Sequence, residues 1–182
     1  MSLTLVTGPE TEPLTIEEAK SQLRLDFDED DALVQRLVRA ARMWVEGQTH
    51  RALMEQTWDQ KMPCFPGLIR FEKNPVMSVS SITYDEGSSP NPTLAASQYT
   101  VVTRNYNSYV APAYGVSWPS TLAVPEAVTV RFVAGYTEVP EPLTHAVAML
   151  VAHWYENREI TTHGSVSEVP MAVEALISPY RC

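Results

Sequence analysis

Glycine, cysteine and positive charge are all scarce in this chain, and each shortage excludes a class of protein. Only 7 of the 182 residues are glycine. None falls in a G-x-x-x-x-G-K-S/T or G-x-G-x-x-G pattern, so phosphate-cradling loops of those types are absent. No G-x-S-x-G elbow occurs either. The 2 cysteines, Cys64 and Cys182, cannot form a disulfide framework or a paired-cysteine zinc site. Lys and Arg number 13 against 22 Asp and Glu, a net charge of −9, which argues against a protein that coats nucleic acid with a basic stripe. No apolar run approaches the roughly 20 residues of a membrane span; the most apolar segment, Ala146 to Tyr155, is far shorter. No basic segment leading into an apolar stretch opens the sequence, so no secretory signal is read, and a soluble intracellular protein with reduced thiols is expected.

What is present is a globular composition, 45% hydrophobic and 19% charged. The 14 prolines indicate stiff, defined connections. One domain is expected over residues 14–182, preceded by a loose polar arm over 1–13. Thr15-Ile16-Glu17-Glu18 has the form of a capping box and predicts a first helix over Ile16 to Leu25. A second helix is predicted from Asp30 to Gln48. Its expected buried stripe is Leu33, Leu37, Ala40, Ala41 and Trp44. Acidic residues precede it, where the helix dipole favours negative charge. From residue 54 to 134, β-branched and aromatic residues alternate between turn signals. Strands are predicted at Glu55–Met62, Leu68–Phe71, Val76–Asp85, Tyr99–Thr103 and Ala127–Val133. Asp85-Glu86-Gly87-Ser88 reads as a hairpin turn, and 104–123 as a long loop, with a short strand inside it as the alternative. A third helix follows Pro140-Glu141-Pro142, with Leu143, Val147, Leu150, Val151 and Trp154 on its inner face. Residues 160–169 read as mobile, and a C-terminal helix spans about 171–178, with Ala172, Val173, Leu176 and Ile177 apolar. The fold class is α+β: a mainly helical body of about four helices with an antiparallel β-rich insertion between the second and third.

Candidate sites are few. Asp26, Asp28 and Asp30 fill positions 1, 3 and 5 of an EF-hand loop, but Asp31 occupies the glycine position and Leu37 the position of the bidentate glutamate. The run reads instead as an acidic helix start. His153 and Glu156 share a helix face, as in bundle metal sites, but nothing in the sequence supplies further ligands. Cys64 has no basic neighbour to activate it. No catalytic residue, cofactor or metal is expected, and the chain reads as a non-enzyme. An enzyme or metal protein built on Asp26–Asp31 or His153/Glu156 is the least favoured alternative. Arg36, Arg39 and Arg42 read as a solvated or interfacial basic face.

The order of segments is informative. Leu14-Thr15-Ile16-Glu17-Glu18-Ala19-Lys20, Leu23-Arg24-Leu25-Asp26 and Asp30-Asp31-Ala32-Leu33-Val34 are followed by Ala40-Ala41-Arg42, Trp44-Val45-Glu46 and Thr49-His50-Arg51-Ala52-Leu53. Then come Gln56-Thr57-Trp58, Pro75-Val76, Ser78-Val79 and Val130-Arg131-Phe132-Val133-Ala134-Gly135-Tyr136. Ala152-His153-Trp154-Tyr155-Glu156-Asn157-Arg158-Glu159 and Pro170-Met171-Ala172-Val173-Glu174-Ala175-Leu176 complete the set. In this order the sequence resembles the head–tail connector (portal adaptor) family of long-tailed phages and prophages. The resemblance implies a helical body with an inserted β segment and no catalytic residues. It implies a ring, twelve copies in the virion, below the portal at the virion neck, assembled in the host bacterial cytoplasm. The ring would extend the DNA channel without specific DNA binding and dock a tail-side stopper or completion protein. A stopper or tail-completion role in the same neck is the alternative. Contacts with the neighbouring copy, the portal or the tail-side protein are expected at Asp28, Asp30, Arg36, Arg39, Arg42, Glu156, Arg158, Met171, Leu176 and Tyr180, with the last helix engaging the portal. A ring contact is head-to-tail, so the acidic run and the arginine face are candidates for its two sides.

Overall fold

The computed structural model describes residues 1–88, 90–157 and 171–181. Arg158 and the segment 160–169 lie outside these residues. The chain divides into two compact units, where a single domain is expected from the sequence. One comprises Met1–Pro9 and Glu55–Thr137; the other comprises Glu10–Met54 and Glu138–Cys182. The class is α+β, with the β segment between the second and third helices.

The helical unit contains α1 (Ile16–Leu23), α2 (Asp31–Thr49), α3 (Glu141–Glu156) and α4 (Met171–Ile177). The capping box forms as predicted. Thr15 Oγ1 accepts from the Glu18 amide at 3.2 Å, and the Glu18 carboxylate accepts from the Thr15 amide at 2.9 Å. α1 stops at Leu23, two residues before the predicted end, because Arg24 adopts the left-handed conformation (φ 57°) and closes the helix with bonds to the carbonyls of Lys20 and Ser21.

The buried stripe of α2 differs from the expected one. Val34, Val38, Ala41 and Val45 are at most 2% exposed, whereas Leu33, Leu37 and Trp44 are half-buried and Ala40 is exposed. Only Ala41 belongs to both sets. The two sets have nearly the same helical spacing one residue apart, so they lie side by side around the helix. Leu143, Ala146, Val147, Leu150 and Val151 of α3 are buried, and α2 packs against it. Trp154 is half-buried.

The β unit holds a four-stranded antiparallel sheet and a three-stranded one. The first has the order β1 (Ser2–Thr7), β2 (Gln56–Met62), β7 (Val128–Ala134), β4 (Val76–Tyr84). The second has the order β3 (Ile69–Arg70), β6 (Tyr109–Pro112), β5 (Tyr99–Val102). β7 is central and buries Val128, Val130, Phe132 and Ala134 in strict alternation. Phe132 meets the ring of Phe71 at 4.6 Å. Opposite Val130, the fully buried Gln60 donates to the carbonyl of Arg70 at 2.7 Å and accepts from the amide of Glu72 at 3.0 Å. Its side-chain amide thus satisfies one backbone acceptor and one backbone donor at the end of β3. The bidentate Asp59–Arg131 pair, both bonds 2.7 Å, is also in direct cross-strand register.

The segment expected to be a loose arm contains β1, which pairs with β2 from Ser2↔Lys61 to Thr7↔Thr57. Burial supplied no pattern to find it by, because its last four residues are exposed on both faces. The turn after β4 forms as expected. Asp85 Oδ1 accepts from the Gly87 amide at 2.9 Å, and Gly87 supplies φ +91°.

Candidate docking surfaces

α2 presents a side chain of each kind to solvent. Arg36, Arg39 and Met43 fall within about 60° of one another around the axis, opposite the Val38–Ala41 stripe. All three are exposed, Met43 by 63%. Ala40 and Gly47 leave this face shallow, and a Cβ added at Gly47 would meet nothing. Arg36 Nε donates to the carbonyl of Ala32 at 3.3 Å. Among the described residues, neither Arg36 nor Arg39 meets a carboxylate.

Arg42 does not belong to this face, a correction to the sequence reading. It is 7% exposed. Its Nε donates to Glu12 at 2.7 Å and its Nη1 to Glu46 at 2.9 Å, while the other oxygen of Glu46 accepts from the amide of Leu53 at 2.9 Å. The spacing Arg36, Arg39, Arg42 suggested one basic row. Three-residue steps drift around a helix of 3.6 residues per turn, and the drift carries the third arginine into the body.

The acidic run is divided in the same way. Asp30 accepts from the hydroxyl of Tyr155, joining the start of α2 to the end of α3. Its side chain makes no helix-capping bond. Lys20 pairs with Asp28 and, at 2.9 Å, with Asp31. The bond to Lys20 holds the Asp28 carboxyl below its ordinary range, and bonds to Asp28 and Asp31 hold the lysine above its own. The carboxylates therefore do not converge as metal ligands. Asp26, Phe27, Asp28 and Glu29 remain at the surface, with Phe27 45% exposed.

The C-terminal helix belongs to the helical body. Val173 and Ile177 are fully buried, and α4 packs on α3 and α2. Arg51, itself 1% exposed, donates to the carbonyl of Tyr180 at 2.7 Å and lies over that residue's ring. Tyr180 is therefore engaged within the unit, and Leu176 is half-buried. Met171 is 88% exposed. Glu156 is exposed too, and His153 serves the end of α3, where its carbonyl accepts from Asn157. Among the described residues, no three His, Cys, Asp or Glu side chains are placed to hold a metal ion.

In the β unit the two sheet edges differ. β4 pairs with β7 through two register shifts, and part of its outer edge is covered by residues 92–94, whose Leu94 amide bonds to the Ile82 carbonyl at 2.8 Å. β1 is uncharged and exposes Leu5 and Val6. An open apolar groove of about 590 Å³ is lined by Pro63, Cys64, Leu122, Val124 and Pro125 among others. Tyr114 is fully exposed. The sequence reading missed Phe27, Met43 and Tyr114 because nothing in local pattern distinguishes an apolar residue that packs inside from one that waits outside.

A family model described as phage gp6-like head-tail connector protein matches residues 13–113 and 121–181. No curated protein matches the sequence. Among solved structures, a chain in the neck of an empty gene transfer agent particle computed with C6 symmetry is similar, with a TM-score of 0.81 and 24% identity. The match covers 100% of this chain and 95% of that chain. A chain in the virion of the native particle gives the same values, 0.81 and 24%, with coverage of 100% and 95%. One in the neck of the native particle computed with C12 symmetry gives 0.80 and 23%, again covering 100% and 95%.

Proposed function

The chain belongs to the phage gp6-like head–tail connector family, and on that premise we propose that it is a structural protein of a virion neck, an adaptor ring between portal and tail. The observation that carries the reading is the end-to-end correspondence with neck subunits, 100% of this chain at a TM-score of 0.81. It embraces both the helical body and the inserted sheets. Those relatives stand in necks computed with C6 and C12 symmetry, which supports a closed ring here, with twelve copies as the proposed number. In such a ring the lumen must let DNA slide, and a net charge of −9 without a basic stripe suits that task.

Contacts with the portal are proposed on the outer side of α4, around Met171, since α4 is folded into the body and is not a free arm. The tail-side protein would dock on the opposite rim. Two measurements test the reading. Native mass spectrometry over a concentration series should show a closed ring. Retention on immobilised portal should depend on Met171, with Met171→Asp weakening it while the melting temperature stays unchanged. A chain that stays monomeric and ignores the portal overturns the adaptor reading, and retention only by the tail-side protein makes it a stopper.

A further inference from the structure

The ring proposed above needs two different matching surfaces on each subunit, and, resting on that reading, we infer that the outer face of α2 receives the α1–α2 turn of a second copy. The receiving face is Arg36, Arg39 and Met43 with the shallow sites Ala40 and Gly47. The occupant is the stretch Asp26–Glu29 with Phe27 at its centre. Charge chooses this occupant. Among the described residues, no carboxylate pairs with either arginine, and Asp26 and Glu29 are exposed and pair with no cation. Each surface also carries one large exposed apolar side chain, Met43 at 63% and Phe27 at 45%. That is the composition of an interface with an apolar centre and a charged margin.

The two surfaces cannot satisfy each other within one subunit. The turn leads into Asp31, which pairs with Lys20 of α1. Arg36 lies about 140° further round the α2 axis. The surfaces therefore point in different directions, as a head-to-tail contact requires. Asp28 contributes less, since Lys20 already holds it.

Charge reversal on the full-length protein tests this. R36E/R39E makes both surfaces acidic, and D26R/E29R makes both basic, so each variant alone should associate more than about a hundredfold more weakly than the wild type, because like charges then face each other. Mixed in equal amounts, they meet only opposite charges and should form rings of even copy number with the two chains alternating, countable by native mass spectrometry. These side chains are exposed and make no ion pairs among the described residues, so melting curves should match the wild type; should either variant fail to fold, F27A and M43A each serve instead, with the same loss of assembly expected. A wild type that remains monomeric overturns the ring reading itself. Rings formed by the wild type and equally by each variant overturn only the seam, as does a mixture that fails to assemble while the wild type does.

Discussion

A single buried arginine shows how much of this protein is decided side chain by side chain. Arg42 joins Glu12 and Glu46, and Glu46 in turn caps the amide of Leu53, so one charge network fixes three stretches of the helical unit. Removing one member of a buried pair leaves the other charge stranded, at a cost of about 3–5 kcal/mol. Arg42→Leu should lower the denaturant midpoint accordingly, whereas R36Q and R39Q, at the surface, should leave it unchanged. Thr15→Ala should cost about 1 kcal/mol by removing the cap of α1. The cap also sets a pH dependence. The Thr15 amide and then its hydroxyl bond the Glu18 carboxylate, holding its pKa below the ordinary glutamate range. A depressed carboxylate contributes stability that is complete above about pH 4.3 and fades as the pH falls through its lower folded value. Glu18→Gln should therefore flatten the acid side of the stability–pH profile, measured by urea unfolding at each pH. Thr15 and Glu18 were legible as a cap because the motif is local. Arg42 was not, because one of its partners, Glu12, lies 30 residues away and local spacing does not say which arginine the fold buries.

At the scale of elements, most helices and strands could be read from the sequence, because periodicity and turn residues are local signals. β7 alternates as its sequence alternates, and the helix starts at Thr15 and Pro140 follow capping and proline rules. The failures have a common origin in ambiguity that local pattern cannot resolve. α2 carries two adjacent apolar rows, and packing selects Val34, Val38, Ala41 and Val45 for the interior. The other row, with Leu33, Leu37 and Trp44, flanks the outer face. β1 has no buried side to betray it and exists because β2 offers it hydrogen bonds. Deleting residues 1–8 would strip that cover from β2 and create a new open edge, so light scattering should report aggregation at concentrations where the full chain stays clear. α4 stands on two fully buried residues, Val173 and Ile177. Ile177→Ala should destabilise the helical unit by about 2–5 kcal/mol, and truncation before Met171 should do more, since it also uncovers Arg51.

For the whole molecule the governing fact is a net charge of −9 with the positive charge confined to a few places. Duplex DNA should not be retarded by the protein in a mobility assay at physiological salt, since a repelled polyanion gains nothing from counterion release. Association between copies should rest on surfaces whose charges are complementary locally although the totals repel. Composition, motif absences and segment order determined by themselves that this is an α+β protein without a recognisable catalytic motif, and pointed to its family, since those properties are written along the chain. Tertiary structure alone decided which of two equivalent stripes became core, which arginine went inside and which residues stayed outside. Burial depends on what arrives from distant sequence, and a docking surface is whatever the fold leaves uncovered.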